Sequence, residues 1–270
     1  MAGFDIFEEI ERLRQAGAPF CVATVIRTAD ATSAKAGAKA AVTGAGEIVG
    51  HLGGACVQRA VRAASTEALS AGAPRLISVR PSEKVVNLGR EAEIQLFKSG
   101  CPSGGTVDLL IEPWRAAPWL MIYGATPIAR ALAEHGALMG FRVMMEPGAE
   151  AGQAEVARLA EGHPPTLAPR DFVVIASQGK GDMAALHSAL ATPAGRVTMV
   201  ASCRKAEVLR EKLAAQGVDA ARLAVLKSPA GLNIGAVEPY EIALSILAEI
   251  VAWKNAGATP ERQRQDAAPR

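Results

Sequence analysis

Apolar and polar positions change period along the chain, and the changes mark its elements. Residues 1–17 (MAGFDIFEEIERLRQAG) set Phe4, Phe7, Ile10 and Leu13 at helical spacing among charged residues, which predicts an amphipathic helix. Residues 20–28 (FCVATVIRT) are rich in β-branched side chains and predict a buried strand. Two short runs, 39–43 and 47–51, joined by Gly44, Ala45 and Gly46, predict a hairpin whose second arm runs into Gly53 and Gly54. From 56 to 70, Val57, Ala60, Val61, Ala64 and Leu69 recur at helical spacing, with Arg59, Arg62 and Glu67 on the other side. Gly72 and Pro74 close that helix. Strand-like runs follow at 75–79, 93–97 and 107–111, the last two flanking KSGCPSGGT.

Beyond residues 115–118, read as a linker, strands alternate with helices. Short apolar runs at 119–123, 142–145, 172–176 and 197–200 read as strands, and 127–139, 182–190 and 204–216 as helices. A weaker strand at 223–226, the loop SPAGLNIGA and a helix over 239–253 complete the pattern. Alternation of this kind implies a parallel sheet with helices on both faces. The predicted class is therefore α/β: a strand-rich α+β domain over 1–115, a Rossmann-like parallel-sheet domain over 116–258, and a flexible tail over 259–270. A length of 270 residues agrees with two domains at about 150 residues each.

Composition narrows the function classes. Half the residues are hydrophobic but only 4% aromatic, and alanine alone makes up roughly a fifth, so the core is built from small aliphatic side chains. Twenty-nine basic and 27 acidic residues leave a net charge of +2, too little to attract nucleic acid or anionic lipid by itself. The acidic start does not read as a signal peptide, and the sequence lacks an apolar run of about 18 residues, so no membrane span and a cytoplasmic location are expected. Four cysteines, Cys21, Cys56, Cys101 and Cys203, stand far apart, which is neither a disulfide scaffold nor a closed zinc site. The four histidines share no metal-ligand spacing, and neither G-x-S-x-G nor a phosphate-loop motif occurs.

Candidate chemistry gathers at glycine-rich turns. Gly53-Gly54-Ala55-Cys56 leads into a helix, where unpaired backbone N–H groups bind anions and favour a thiolate; Cys56 is then a nucleophile or soft-metal ligand, or else a small buried hydrophobe. The loop carrying Cys101, Ser103, Gly104 and Gly105 offers backbone donors, hydroxyls and a second sulfur, or is simply a glycine-rich turn. Cys21, inside a strand, and Cys203, at a helix start, read as packing residues. In the second domain, Gly124-Ala125-Thr126-Pro127-Ile128-Ala129 stands where a dinucleotide fingerprint would, with Glu146 about 20 residues on at the position of a ribose-binding acid. Only the first glycine of that fingerprint is present, and Thr126 occupies the place where a pyrophosphate comes closest, so nucleotide site and scaffold turn both remain open. Asn233, in the loop past the last strand, is the remaining polar candidate.

Taken together, GHLGGACVQRAV, GCPSGGTVDLLIEP, LMIYGATPIARAL, ASCRKAEVLREKL and SPAGLNIGAVEPYEIALSILAEIVA resemble the XdhC/CoxI family of molybdenum-enzyme accessory proteins, over residues 20–253. Pro-Ser between Cys101 and Gly104 is most similar to the CoxF branch, associated with aerobic carbon monoxide dehydrogenase maturation. The resemblance implies a cytoplasmic, dimeric maturation factor, non-catalytic or weakly catalytic, that binds the molybdenum cofactor (molybdopterin or its cytosine dinucleotide). It implies a molybdenum hydroxylase as target and a sulfur-donor protein as a further partner. Gly53, Gly54 and Cys56 match the family's first glycine-cysteine motif, and Cys101, Gly104 and Gly105 its second, with Cys56 and Cys101 as the metal or sulfur ligands. Departures are Ala55 for a glycine, Thr126, Pro127 and Ala129 in the Rossmann turn, and Ser177 and Gln178 where the family tends to have a histidine. Two rival functions are an oxidoreductase using NAD(P) or FAD, and a protein–protein adaptor whose sheet is scaffold only.

Overall fold

A computed structural model describes residues 5–82, 94–100, 104–159, 166–179 and 181–256. The chain divides into two compact units, Met1–Ala116 and Ala117–Arg270.

In the first unit, α1 (Ile6–Ala16) starts at Asp5, whose carboxylate accepts the Phe7 N–H, and stops at Gly17 in the left-handed region. Six strands form one sheet: β1 (Phe20–Ala29), β2 (Lys39–Thr43), β3 (Ile48–Gly50), β4 (Arg75–Pro81), β5 (Ile94–Ser99) and β6 (Thr106–Trp114), in the order β3-β2-β1-β6-β4-β5. All neighbours are antiparallel except β4 and β5. Helix α2 (Ala55–Ala71) lays Val57, Ala60, Val61, Ala64 and Ala68 on one face of this sheet, against Cys21, Ala23, Val25, Ile77 and Leu109. Small alanines let the helix sit close to the strands. On the other face α1 packs Ile6, Ile10 and Leu13 near Phe20, which stacks on Trp114 at 5.1 Å.

Three expectations change here. Phe7 is 65% exposed; α1 packs with buried Leu13 and partly buried Ile6 and Ile10, so Ile6 takes the place predicted for Phe7, and Phe4 lies outside the described residues. The strand expected at 93–97 is Ile94–Ser99, drawn out by parallel pairing with β4 as far as Pro81↔Ser99, and Glu93 lies outside the described residues. The strand expected at 107–111 runs from Thr106 to Trp114, because β1 pairs along its whole length from Phe20↔Trp114 to Ala29↔Thr106.

The second unit holds β7 (Trp119–Tyr123), α3 (Pro127–Leu138), β8 (Arg142–Met145), β9 (Ala157–Arg158), β10 (Phe172–Ile175), α4 (Asp182–Ala191), β11 (Arg196–Met199), α5 (Cys203–Ala215), α6 (Ala220–Ala224), β12 (Leu226–Lys227) and α7 (Pro239–Ala256). The strands are parallel throughout, in the order β12-β11-β10-β7-β8-β9. That is the doubly wound order, with its reversal between β7 and β10. Alternation within each strand feeds two cores: Leu120, Ile122, Val174 and Val143 face α3 and α7, while Met121, Val173, Ile175 and Met199 face α4 and α5. The strand expected at 223–226 is instead the short helix α6, capped by Asp219 accepting the Ala221 N–H at 2.7 Å, followed by the two residues of β12. No described helix is long and apolar enough to cross a membrane.

Candidate functional site

In the first unit, two glycine turns serve opposite ends of one small cavity. Gly53 has φ +121, a conformation that only glycine adopts without strain. Gly54 caps α2 with φ −73, and among the described residues a Cβ there would meet nothing within 4 Å. No described neighbour thus demands glycine at 54. Among the described residues the α2 N-terminus has no side-chain cap from Gly54 and no acidic residue in its first turn, so no carboxylate there offsets the positive end of the helix.

Gly105 is glycine for the contrary reason. A Cβ on it would overlap the Ala31 carbonyl oxygen and come within 2.9 Å of the Thr32 Cβ. Gly104, at φ +68, bridges to Ala31 just before. The close approach seats residues 31–33 beside the start of α2. A cavity of about 60 Å³ results, lined among others by Thr32, Ser33, Gly54, Cys56, Ser99 and Gly105. Cys56 is half-buried in it, and the Arg59 guanidinium, one turn along, reaches within 4.0 Å of its sulfur. A cation and a helix N-terminus converging on a cysteine form the setting in which sulfur acts as a soft nucleophile or ligand.

The structure therefore joins Gly54 and Cys56 of the first motif with Gly105 of the second, with Gly53 and Gly104 as the turns behind them. Cys101 and Ser103 lie outside the described residues. The hydroxyls of Thr32, Ser33 and Ser99 were missed by sequence reasoning: they sit at a loop and a strand end with no periodic pattern, and only the fold brings them to Cys56. Cys21 is fully buried, with its thiol donating to the Ser65 carbonyl at 3.6 Å, and burial pushes its pKa up. Cys203 departs from its expected packing role: as the first residue of α5 it is exposed.

In the second unit, Gly124, Thr126 and Glu146 at the β7–α3 turn all bond to other parts of the chain. The Gly124 N–H donates to Glu146 Oε2 at 2.7 Å. Thr126 caps α3: its Oγ1 accepts the Ala129 N–H at 3.2 Å and donates to the Ala176 carbonyl, past the end of β10, at 2.8 Å. Asn233 is exposed on the loop after β12. That loop is clamped by buried Glu249, whose carboxylate takes the Gly231 N–H at 3.1 Å and the Lys227 ammonium.

A third cluster carries no motif signal. Asp182, 5% exposed at the start of α4, accepts from the Ser177 hydroxyl, from the Gly179 N–H at 3.1 Å, and from the Lys205 ammonium of α5. Burial alone would raise its pKa; the bonds from Lys205 and Ser177 outweigh burial and hold the carboxyl below the usual carboxylate range. Ser177, at the family's histidine position, is thereby committed to the α4 turn. Among the described residues no three His, Cys, Asp or Glu side chains gather as a metal site.

Comparison with known proteins assigns both units. Residues 13–80 match the XdhC and CoxI family, and residues 120–250 match the XdhC Rossmann domain. The uncharacterized protein YqeB of Escherichia coli K12 is 31% identical across 93% of this chain, and the chain spans 46% of that relative's length. A solved structure described as a xanthine dehydrogenase from Bacillus halodurans is 19% identical, covers 98% of each chain, and superposes with a TM-score of 0.45.

Proposed function

Because the chain carries both an XdhC and CoxI family domain and an XdhC Rossmann domain, we propose that it is an accessory factor for a molybdenum hydroxylase, binding the molybdenum cofactor and assisting its sulfuration or insertion. The observation that carries this reading is the convergence of Cys56, the start of α2 and the Gly105 turn on one cavity. The donor set fits one end of the cofactor. A sulfur among the hydroxyl-bearing residues Thr32, Ser33 and Ser99 suits a small soft or anionic group, and about 60 Å³ has room for such a group but not for a pterin ring system. When bound, the cofactor supplies a metal centre that exchanges sulfur. The chain's part is to hold that end: Cys56 as soft ligand or sulfur carrier, Gly54 by leaving the approach open, Arg59 by keeping positive charge beside the sulfur.

The finer assignment, to the CoxF branch with carbon monoxide dehydrogenase as target, rests on the Pro-Ser pair between Cys101 and Gly104. Cys101 as the second sulfur, a sulfur-donor protein as partner, and a homodimer belong to the same proposal. The test is anaerobic purification from a molybdenum-competent host, with metal analysis and release of the oxidised pterin. Molybdenum and pterin are expected in the wild-type protein and strongly reduced in Cys56→Ser. Their absence from the wild type, together with no uptake of added cofactor, would sink the proposal.

A further inference from the structure

We infer that the β7–α3 turn is latched shut and does not seat a dinucleotide diphosphate, whether of NAD(P), FAD or a pterin dinucleotide. A Rossmann sheet takes a diphosphate where strand order reverses, here between β7 and β10, with the phosphates against the amides that open the first helix. The first and last amides of that seat, its acidic residue and the room at its second position are all taken up inside this chain. Of the backbone groups from Gly124 to Ala129, the Gly124 N–H goes to Glu146, the Ala129 N–H goes to Thr126, and Pro127 has none. The carboxylate that would take a ribose hydroxyl holds the turn instead. Thr126 stands where the fingerprint's second glycine leaves room for phosphate, and its hydroxyl spans the reversal point to the Ala176 carbonyl at 2.8 Å.

Gly124 completes the closure. At φ +113, a Cβ on it would overlap the Ala176 carbonyl oxygen and lie 2.9 Å from the Ser177 Cα, so the chain past β10 already presses on the turn. The first glycine is kept for this approach, while the positions that admit a ligand are filled. The inference stands whether or not the accessory reading does, and it removes the structural basis for an NAD(P)- or FAD-dependent oxidoreductase at this sheet.

Hydrogen exchange on the full chain tests it, with millimolar NADH, FAD or CDP as probes. Exchange in the peptide covering residues 122–132 is expected to be unchanged by each probe, even if a probe binds elsewhere on the protein. Protection of that peptide by any of the three would overturn the inference. The latch itself is read from Thr126→Gly, in which exchange of the Ala129 amide is expected to rise about tenfold, the effect of losing one capping bond. Thr126→Ser should keep the wild-type rate, and Thr126→Val, which keeps the side chain's shape, serves if the glycine variant does not fold. An Ala129 amide indifferent to loss of the hydroxyl would overturn the latch.

Discussion

Two glycines on one cavity separate structural need from functional room. Gly105→Ala drives a methyl into the Ala31 backbone, and overpacking of this kind costs about 1–3 kcal/mol. Gly54→Ala meets no described neighbour and changes only an N-cap preference, so a loss within about 1 kcal/mol is expected. Denaturant unfolding of the two variants checks the contrast, which fails if Gly54→Ala is the more damaging. The cysteines divide as sharply. Of the three described cysteines, exposed Cys203 and half-buried Cys56, beside Arg59, are expected to alkylate in the folded protein, and buried Cys21, its thiol pKa raised by burial, only after unfolding. Peptide mass spectrometry after timed iodoacetamide treatment gives the order. Sequence placed Cys21 and Cys56 in their settings but not Cys203: a strand interior and a glycine turn have local signatures, whereas whether a helix's first residue faces core or water depends on what packs against it.

Among the elements, the start of α4 depends on charge. Asp182 has its carboxyl held below the ordinary 3.8, so the folded state favours its ionised form more than the unfolded chain does. Its contribution is therefore fully present above the unfolded value and is lost as pH falls through that value towards the depressed folded one. Asp182→Asn is expected to cost about 1–2 kcal/mol at neutral pH, a moderate figure because Lys205 keeps 40% of its side chain in water. The gap between variant and wild type should begin to narrow as pH falls below about 4. Urea denaturation across pH 2–7 checks this; a gap that stays constant from pH 7 down to pH 2 would contradict the assignment. The periodicity of α2, α3 and α5 was legible because one face of each is buried. α6 was not, since five residues are too few to show a period and Asp219 alone decides the turn.

At the scale of the whole molecule, the proposed function and the closed β7–α3 turn together predict different parts for the two units. Cofactor retention is expected to follow Cys56 in the first unit and to be indifferent to Glu146→Gln in the second, where the amide oxygen can still accept the Gly124 N–H. Metal analysis of the two variants distinguishes this from a cofactor held by its nucleotide at the β7–α3 turn, for which Glu146→Gln would lose molybdenum as well. The sequence by itself determined the change from a strand-rich half to an alternating one, the helix and strand faces, and the two glycine-cysteine loops, because each is written in spacing over a few neighbouring residues. Tertiary structure alone decided that Thr32, Ser33 and Ser99 meet Cys56, that Asp182 pairs with Lys205, and that Thr126 turns back to Ala176. These pairings join residues far apart in the chain, whose meeting depends on strand order and close backbone approach; local periodicity carries no information about either.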